Sequence, residues 1–504
     1  MRLKYKFIWI IIFLIGLILR SSFVLHPVDT LSWRENDVAT IAKNYYENNM
    51  DFFYPQVNWG GKGPDYAEME FPVYPYLIAL SYKLFGFHDI AGRIISLIFS
   101  LATLLVFFRL SKYLFEERTA IVISLFFAIS PLLNIISDTI QPESVMFFFY
   151  VSSVYTFIRW LNNPNIKYFI LVSFCTAFAL LSKITAAHIG ILFFVLILIQ
   201  KKWRFFFKPS IILFGIISVI PSILWYNYSH HFYTQYGNSL GLSNEYAWIG
   251  TDFFTDPYFI TGIIKNDLHF IWMITGPVII LLALFFSKIF KDENVKFAFY
   301  WLLAVYVFYI IACRTTADSW AYYYHLFSAP AAAILLGSSI VALFDKFIKN
   351  KAENAKMPLF LSRTLIPLLV ICLIVFQLFY NFRSIIRNKP VAFRTSEYYS
   401  SIDKLSKIIP ENSIILASGG ICADEKGYPV AYNSSYFFYW LNKKGYNICV
   451  GEQSIENVKS FADKGAQYFI AEKSAINEKK GFEEELNQNF KAVFNENGIK
   501  VYKL

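Results

Sequence analysis

Three groups of ionisable residues stand at the edges of long apolar runs, where a charge is costly and is kept for pairing or for function. The first is WRENDVATIAKNYYENN at 33–49, which sets Arg34, Glu35 and Asp37 directly after the first apolar run. The second is Glu143 in SDTIQPESVMFF, and the third is Lys183 in FALLSKITAAHIG. An ammonium between two apolar runs needs an anionic partner. That partner is either a nearby acid or a phosphate, and Arg93 and Arg314 could join Lys183 on a phosphate. A phosphate carried on a lipid would arrive at this depth. Glu143, in the first turn after Pro142, also suits a plain helix start, where a carboxylate matches the dipole. Asp37 has no such simple role, because it lies among aromatic residues at a membrane entrance. Asp65, Glu68 and Glu70 follow in DYAEMEFPVYPYLIAL. The seven histidines, with Glu68 or Glu70, could bind a divalent metal, although no HxxxH or HxH spacing supports one.

The elements that must position these groups are membrane helices. The chain has 504 residues, 56% hydrophobic and only 16% charged, so a soluble fold would expose too much apolar surface. Apolar runs near 7–25, 90–110, 119–137, 144–160, 167–182, 184–200, 210–227, 268–289, 297–313, 323–345 and 364–381 give about eleven spans. MRLKYK precedes the first run with no small-residue cleavage site after it, which predicts a retained helix. The net charge of +10 lies mainly in alternate short connections. That is a topology signal and an attraction to anionic headgroups rather than a nucleic-acid footprint. The positive-inside rule puts the N-terminus in the cytoplasm. It puts the loop 26–89 and the tail 385–504 outside, so 1–384 is the membrane domain.

Within 26–89, the helical spacing of Asp37, Ile41, Asn44 and Tyr45 predicts a helix along the membrane surface. The tail changes character. SIILASGG, AQYFIAE and KAVFNE read as strands, and SIENVKSFADKG and KKGFEEELNQNF as helices, which predicts a small α/β domain. Cys422 and Cys449 lie in it and could pair outside the cytoplasm.

The order of these motifs resembles the multispanning GT-C glycosyltransferases of the protein O-mannosyltransferase and aminoarabinose-transferase type. The resemblance runs over about residues 5–345, from WRENDVATIAKNYYENN through EFPVYPYLIALSYKLFGFHDIAGRIISLIFS and QPESVMFFF to LLSKITA. It implies a GT-C-like helical membrane domain with an extracytoplasmic α/β domain in a bacterial plasma membrane. The implied activity moves a sugar from a polyprenyl-phosphate carrier to a hydroxyl of a glycan, lipid or protein acceptor. In the first-loop motif the usual leading acid is replaced by Arg34, while Glu35 keeps the second place. The WRQAD-like version of the motif makes Asp37 its acid, and hence the expected general base, ahead of Glu35. Glu143 matches the acid of a TDALL-like segment, and Lys183 the lysine that follows the fifth span. Glu70 stands near the place of an absent EKPP lysine. Tyr324 and His325, in WAYYYHLFSAPAAAILLG, are expected at the carrier site. One displacement with one base implies inversion at the sugar carbon. The sugar and the acceptor stay open. Two other readings fit the composition: a transporter or flippase of a lipid-linked sugar, and a non-catalytic surface-binding protein.

Overall fold

In the computed structural model, the described residues are 2–30, 32–243, 252–311, 314–349, 364–423, 427 and 434–504. The chain opens with helix α1 (Arg2–Arg20) and helix α2 (Trp33–Glu47), which is buried from Glu35 to Ala42. The bundle continues with α3 (Val73–Phe85), α4 (Ala91–Leu114), α5 (Glu117–Ala128), α6 (Pro131–Ile136), α7 (Glu143–Asn162), α8 (Ile166–Ser182) and α9 (Ile189–Lys201). It closes with α10 (Pro209–Tyr236), α11 (Pro257–Asp267), α12 (Thr275–Phe286), α13 (Glu293–Ile311), α14 (Ala329–Phe344) and α15 (Ile366–Ala392).

Among the described residues, seven helices are long and apolar enough to cross a membrane, or eight if the pair bent by 86° between Trp272 and Thr275 is one span. The other expected runs are helical too: 167–182 is a shorter helix, 119–137 is broken, and α1, a continuous helix of 19 residues, carries four basic residues at its ends. The run 119–137 divides at Ile129–Ser130 into α5 and α6. A break at this depth leaves carbonyls without helical partners, and buried side chains supply the donors. Arg20, with 1% of its surface exposed, reaches Ala128 O at 2.6 Å and Phe127 O at 3.2 Å. Asn134 donates to Ala128 O at 3.0 Å and Asn381 to Ile129 O at 3.1 Å.

The tail is a small α/β domain. It contains α16 (Ile402–Ile408), α17 (Ser435–Leu441), α18 (Ile455–Asp463), α19 (Lys473–Asn477) and α20 (Phe482–Asn489). Its strands are β1 (Ile415–Ser418), β2 (Gly445–Ile448), β3 (Tyr468–Glu472), β4 (Lys491–Glu496) and β5 (Ile499–Lys503). The sheet order is β2-β1-β3-β5-β4, parallel across β2-β1-β3 and antiparallel at β5 and β4. Cys422 and Cys449 form a disulfide beyond the ends of β1 and β2. Helix α15 runs on past residue 384, where the membrane domain was expected to end, to Ala392.

The domain is not tethered loosely. Its α17 packs on α2: Ser435 Oγ donates to Trp33 O at 2.9 Å, Trp440 Nε1 to Val28 O at 2.8 Å, and Tyr439 OH to Asp89 at 2.6 Å. Gly445 N donates to Asn58 O at 2.8 Å, and Lys444 Nζ to Gly63 O at 3.0 Å. Asp65 is buried in the loop at this junction, and its Oδ2 has no hydrogen-bond partner among the described residues. Burial raises its pKa to about 7, against the pull of Lys444.

A carboxyl that holds its proton more tightly folded than unfolded stabilises less as pH rises from about 4 through the folded value. Asp65→Asn is therefore expected to raise the unfolding temperature most at pH 8 and much less at pH 5. Thermal unfolding of the detergent-purified protein at the two pH values checks this. Equal effects at both would show that the carboxyl is not protonated in the fold.

Candidate active site

Helix α2 starts at Ser32, whose side chain caps the helix by accepting from Arg34 N. Only its first turn reaches a cavity that lies at the start of α7 and the end of α8. Ser32, Trp33 and Arg34 line the space, whereas Asp37 lies a turn further on. Arg34 is tied to the Glu70 carboxylate and to Leu240 O. Glu70 is delivered by the loop 66–70, which is fixed from α10. There Trp225 Nε1 donates to Met69 O at 3.0 Å and Ser229 Oγ to the same oxygen at 2.9 Å.

The same loop carries the segment 238–242. Glu68 N donates to Asn238 O at 2.9 Å and Leu240 N to Glu68 O at 2.8 Å. The buried Glu68 carboxylate takes hydrogen bonds from Ser239 at 2.6 Å and Ser243 at 2.9 Å, and meets His230 at 2.9 Å. This clasp sets Leu240, Gly241 and Leu242 against the cavity. It also accounts for His230, which sequence reading had associated with a metal. Among the described residues no three His, Cys, Asp or Glu side chains are grouped to hold a metal ion.

The opposite wall carries the second ion pair. Lys183 caps the C-terminus of α8, and its ammonium bonds the Glu143 carboxylate at the start of α7. The same ammonium lies 4.7 Å from the ring centre of Tyr323 and 4.9 Å from that of Tyr324. Aromatic faces attract a cation at this range. Next to Lys183, Thr185 faces the cavity, and a buried relay holds its backbone. Trp301 Nε1 donates to Tyr150 OH at 2.9 Å, Tyr150 meets His188 Nε2 at 3.0 Å, and His188 Nδ1 meets Thr185 O at 2.6 Å.

The tyrosine wall has its own anchor. His325 is fully buried, with Nδ1 2.6 Å from Asp267 Oδ1 and Nε2 2.8 Å from Thr316 O. Ser328 and Tyr306 complete the Asp267 carboxylate. The His325–Asp267 contact fixes the segment 315–324, which brings Thr315, Trp320 and Tyr322–Tyr324 to the cavity.

The structure thus sorts the expected residues. Glu70, Glu143, Lys183 and Tyr324 meet in one cavity of about 280 Å³. Three expected substrate ligands do not line it. Glu35 and Arg93 are completely buried in a bidentate pair with both contacts at 2.9 Å, and His325 lies behind the tyrosines. The Arg314 side chain lies outside the described part of the structure. Asp37, the expected base, is fully buried off the cavity, where its Oδ1 accepts from Trp59 Nε1 at 2.9 Å. The physical reason is the helix rise: one turn carries a side chain about 5.4 Å away from the mouth. Arg34 takes the cavity-facing place. Sequence reading noted its presence where an acid is usual but gave it no role.

Comparison with known proteins follows the same lines. Residues 66–225 match the family model described as dolichyl-phosphate-mannose-protein mannosyltransferase, a segment that includes Glu70, Glu143 and Lys183 but not α2. No curated protein matches the chain by sequence. In fold the chain is similar to ArnT from Cupriavidus metallidurans. The TM-score is 0.62 for apo ArnT and 0.60 for ArnT bound to undecaprenyl phosphate, at 12% and 13% identity, with 99% of this chain and 97% of that one covered. It is also similar to the oligosaccharyltransferase AglB from Archaeoglobus fulgidus in complex with an inhibitory peptide and a dolichol-phosphate. That match has a TM-score of 0.59 at 11% identity, covering 94% of this chain and 69% of AglB. These likenesses establish a multispanning GT-C fold.

If Asp37 serves the packing of α2 under Trp59, Asp37→Asn keeps an acceptor for the indole. The expected cost is about 1 kcal/mol of stability, with turnover little changed. Unfolding temperature and sugar-transfer rate, measured on one preparation, check this. A collapse of the rate at unchanged stability would return Asp37 to the chemistry.

Proposed function

Proceeding from a multi-pass glycosyltransferase of the GT-C fold, we propose that the chain moves a sugar from a polyprenyl-phosphate carrier to an acceptor hydroxyl on the non-cytoplasmic side. The observation that carries the reading is the pairing of Lys183 with Glu143 under the rings of Tyr323 and Tyr324, inside a cavity at one rim of the bundle. A phosphate is already a good leaving group and needs mainly its charge neutralised as the glycosidic bond breaks. Lys183 supplies that charge. The tyrosine faces give it a partner that cannot neutralise it, so the ammonium stays available to an incoming anion. Glu143 holds the ammonium until the phosphate arrives. It is then released next to the reacting centre.

The acceptor oxygen loses its proton as it attacks the anomeric carbon, so a carboxylate must be in reach. Among the described residues only Glu70 and Glu143 bring a carboxylate to the cavity. Glu143 stands with the leaving-group cation, and Glu70 stands on the first-loop side with Arg34. Glu70 is therefore the favoured base, and Arg34 its positioning residue. A single displacement of this kind inverts the sugar carbon. The disulfide in the tail domain and the poverty of Lys and Arg in the first loop support the non-cytoplasmic placement of this rim.

Three substitutions separate the roles, in purified protein given a polyprenyl-phosphate sugar donor. Lys183→Met is expected to lower the transfer rate by about 10²–10³. Glu70→Gln should lose the rate by about 10²–10⁴ while keeping donor binding. Glu143→Gln should keep more activity than either. Full activity of Lys183→Met would remove the phosphate role. A Glu143→Gln loss exceeding that of Glu70→Gln would exchange the two carboxylates.

A further inference from the structure

The membrane face opposite the cavity carries a second concave site. Helices α4 and α7 link the two. Arg109 follows Arg93 by 16 positions along α4, and Arg159 follows Glu143 by 16 along α7. At 1.5 Å per residue that is about 24 Å, most of the hydrocarbon thickness. The far ends of these helices and α1 enclose a pocket of about 490 Å³ lined by Trp9, Phe108, Arg109, Lys112, Tyr155 and Arg159, among others.

Three cations line it and no carboxylate does. Lys112 has Glu117 at 3.1 Å. Arg159 is bonded to Tyr155 OH at 2.9 Å and lies over the rings of Tyr113 at 4.8 Å and Tyr168 at 4.7 Å, with no acidic partner among the described residues. Arg109 is exposed and has neither a hydrogen bond nor an ion pair there. Trp9 stacks on Phe108 with ring centres 3.9 Å apart, placing an indole at the pocket's edge as interfacial anchors do. The pocket is continuous with a lipid-facing strip: Leu105 is in its lining, and Ile98, two turns back on the same face of α4, is 58% exposed.

We propose that this pocket binds the phosphate headgroup of an anionic phospholipid from the leaflet opposite the cavity. The guanidinium groups of Arg109 and Arg159 take the phosphate oxygens, and an acyl chain lies along Leu105 and Ile98. Guanidinium suits this task because its donors match the geometry of phosphate oxygens. The apolar strip selects a lipid over a soluble anion. The lipid thereby ties α1, α4 and α7 at the ends remote from Arg93 and Glu143. The inference does not depend on which reaction the cavity performs.

The test uses the full chain in neutral detergent, with phosphatidylglycerol, phosphatidylcholine or inorganic phosphate added. Lipid retention is read by native mass spectrometry and stability by thermal unfolding. Phosphatidylglycerol is expected to be retained and to raise the unfolding temperature. Arg109→Gln, at an exposed position with no partner to lose, should weaken retention about fivefold, as expected for one headgroup cation. Lys112→Gln serves as a second variant and should weaken it less. Equal stabilisation by phosphatidylcholine, unchanged retention in Arg109→Gln, or equal stabilisation by inorganic phosphate alone would each overturn the proposal.

Discussion

The fold around the cavity depends on one buried ion pair. Arg93 has five N–H donors and uses all of them: two on the Glu35 carboxylate, and the rest on the carbonyls of His26, Pro27 and Asp138. Glu35 also accepts from Ile140 N at 2.6 Å. Such a pair survives burial only because every donor is satisfied; with one partner removed, the other would be left charged in a dry site. The contacts converge from the first loop, α2, α4 and the turn that leads into α7. That turn sets Glu143 in the cavity wall, and α2 sets Arg34. A neighbouring pair, Lys389 with Asp138 at 2.6 Å, ties the end of α15 into the same knot. The charges that look most reactive in the sequence are thus the ones that hold the reactive charges in place.

This division explains what the sequence could and could not convey. The apolar runs, the existence of a helix at 33–47 and three of the five tail strands follow from local pattern, because periodicity is a local property; the burial of that helix on nearly every side does not. The strand Gly445–Ile448 is too short and mixed to stand out, and Ile499–Lys503 ends the chain as an edge-adjacent pair to β4. The convergence of Glu70, Glu143, Lys183 and Tyr324 was legible in part because each marks the rim end of an apolar run. What pattern could not supply is which of several charges on one short helix faces the cavity. Glu35, Asp37 and Arg34 lie within one turn, and their fates are settled by partners at 93, 59 and 70.

The roof of the cavity was invisible for the same reason, at longer range. Residues 238–242 carry little periodicity, and their position is set by Glu68, more than 150 positions away. Four of the ionisable groups assigned to substrate or metal in the sequence, Glu35, Arg93, His325 and His230, are engaged with other protein groups. In an apolar bundle a buried charge is kept for pairing as well as for function, and Glu35 and Arg93 pair to hold segments together. His325 shows the economy of this arrangement, since it fixes through Asp267 the backbone that presents Tyr323 and Tyr324.

The arrangement of charge in the cavity also bears on the rival readings. A transporter of a lipid-linked sugar needs a site near the bilayer midplane that opens alternately to both sides, usually between related halves. Here Arg34, Glu70, Glu143 and Lys183 gather where first-loop residues meet the ends of α7 and α8, at one rim of the bundle. The four form two neutral pairs, so the empty cavity carries no net charge from them. The phosphodiester of a polyprenyl-phosphate sugar carries one negative charge, and breaking its bond to the sugar leaves a phosphate monoester that carries more. A surface-binding protein meets no such growth of charge. A transferase does, and a cation held at the rim, Lys183 beside Glu143, is placed to meet the charge that builds on the leaving phosphate.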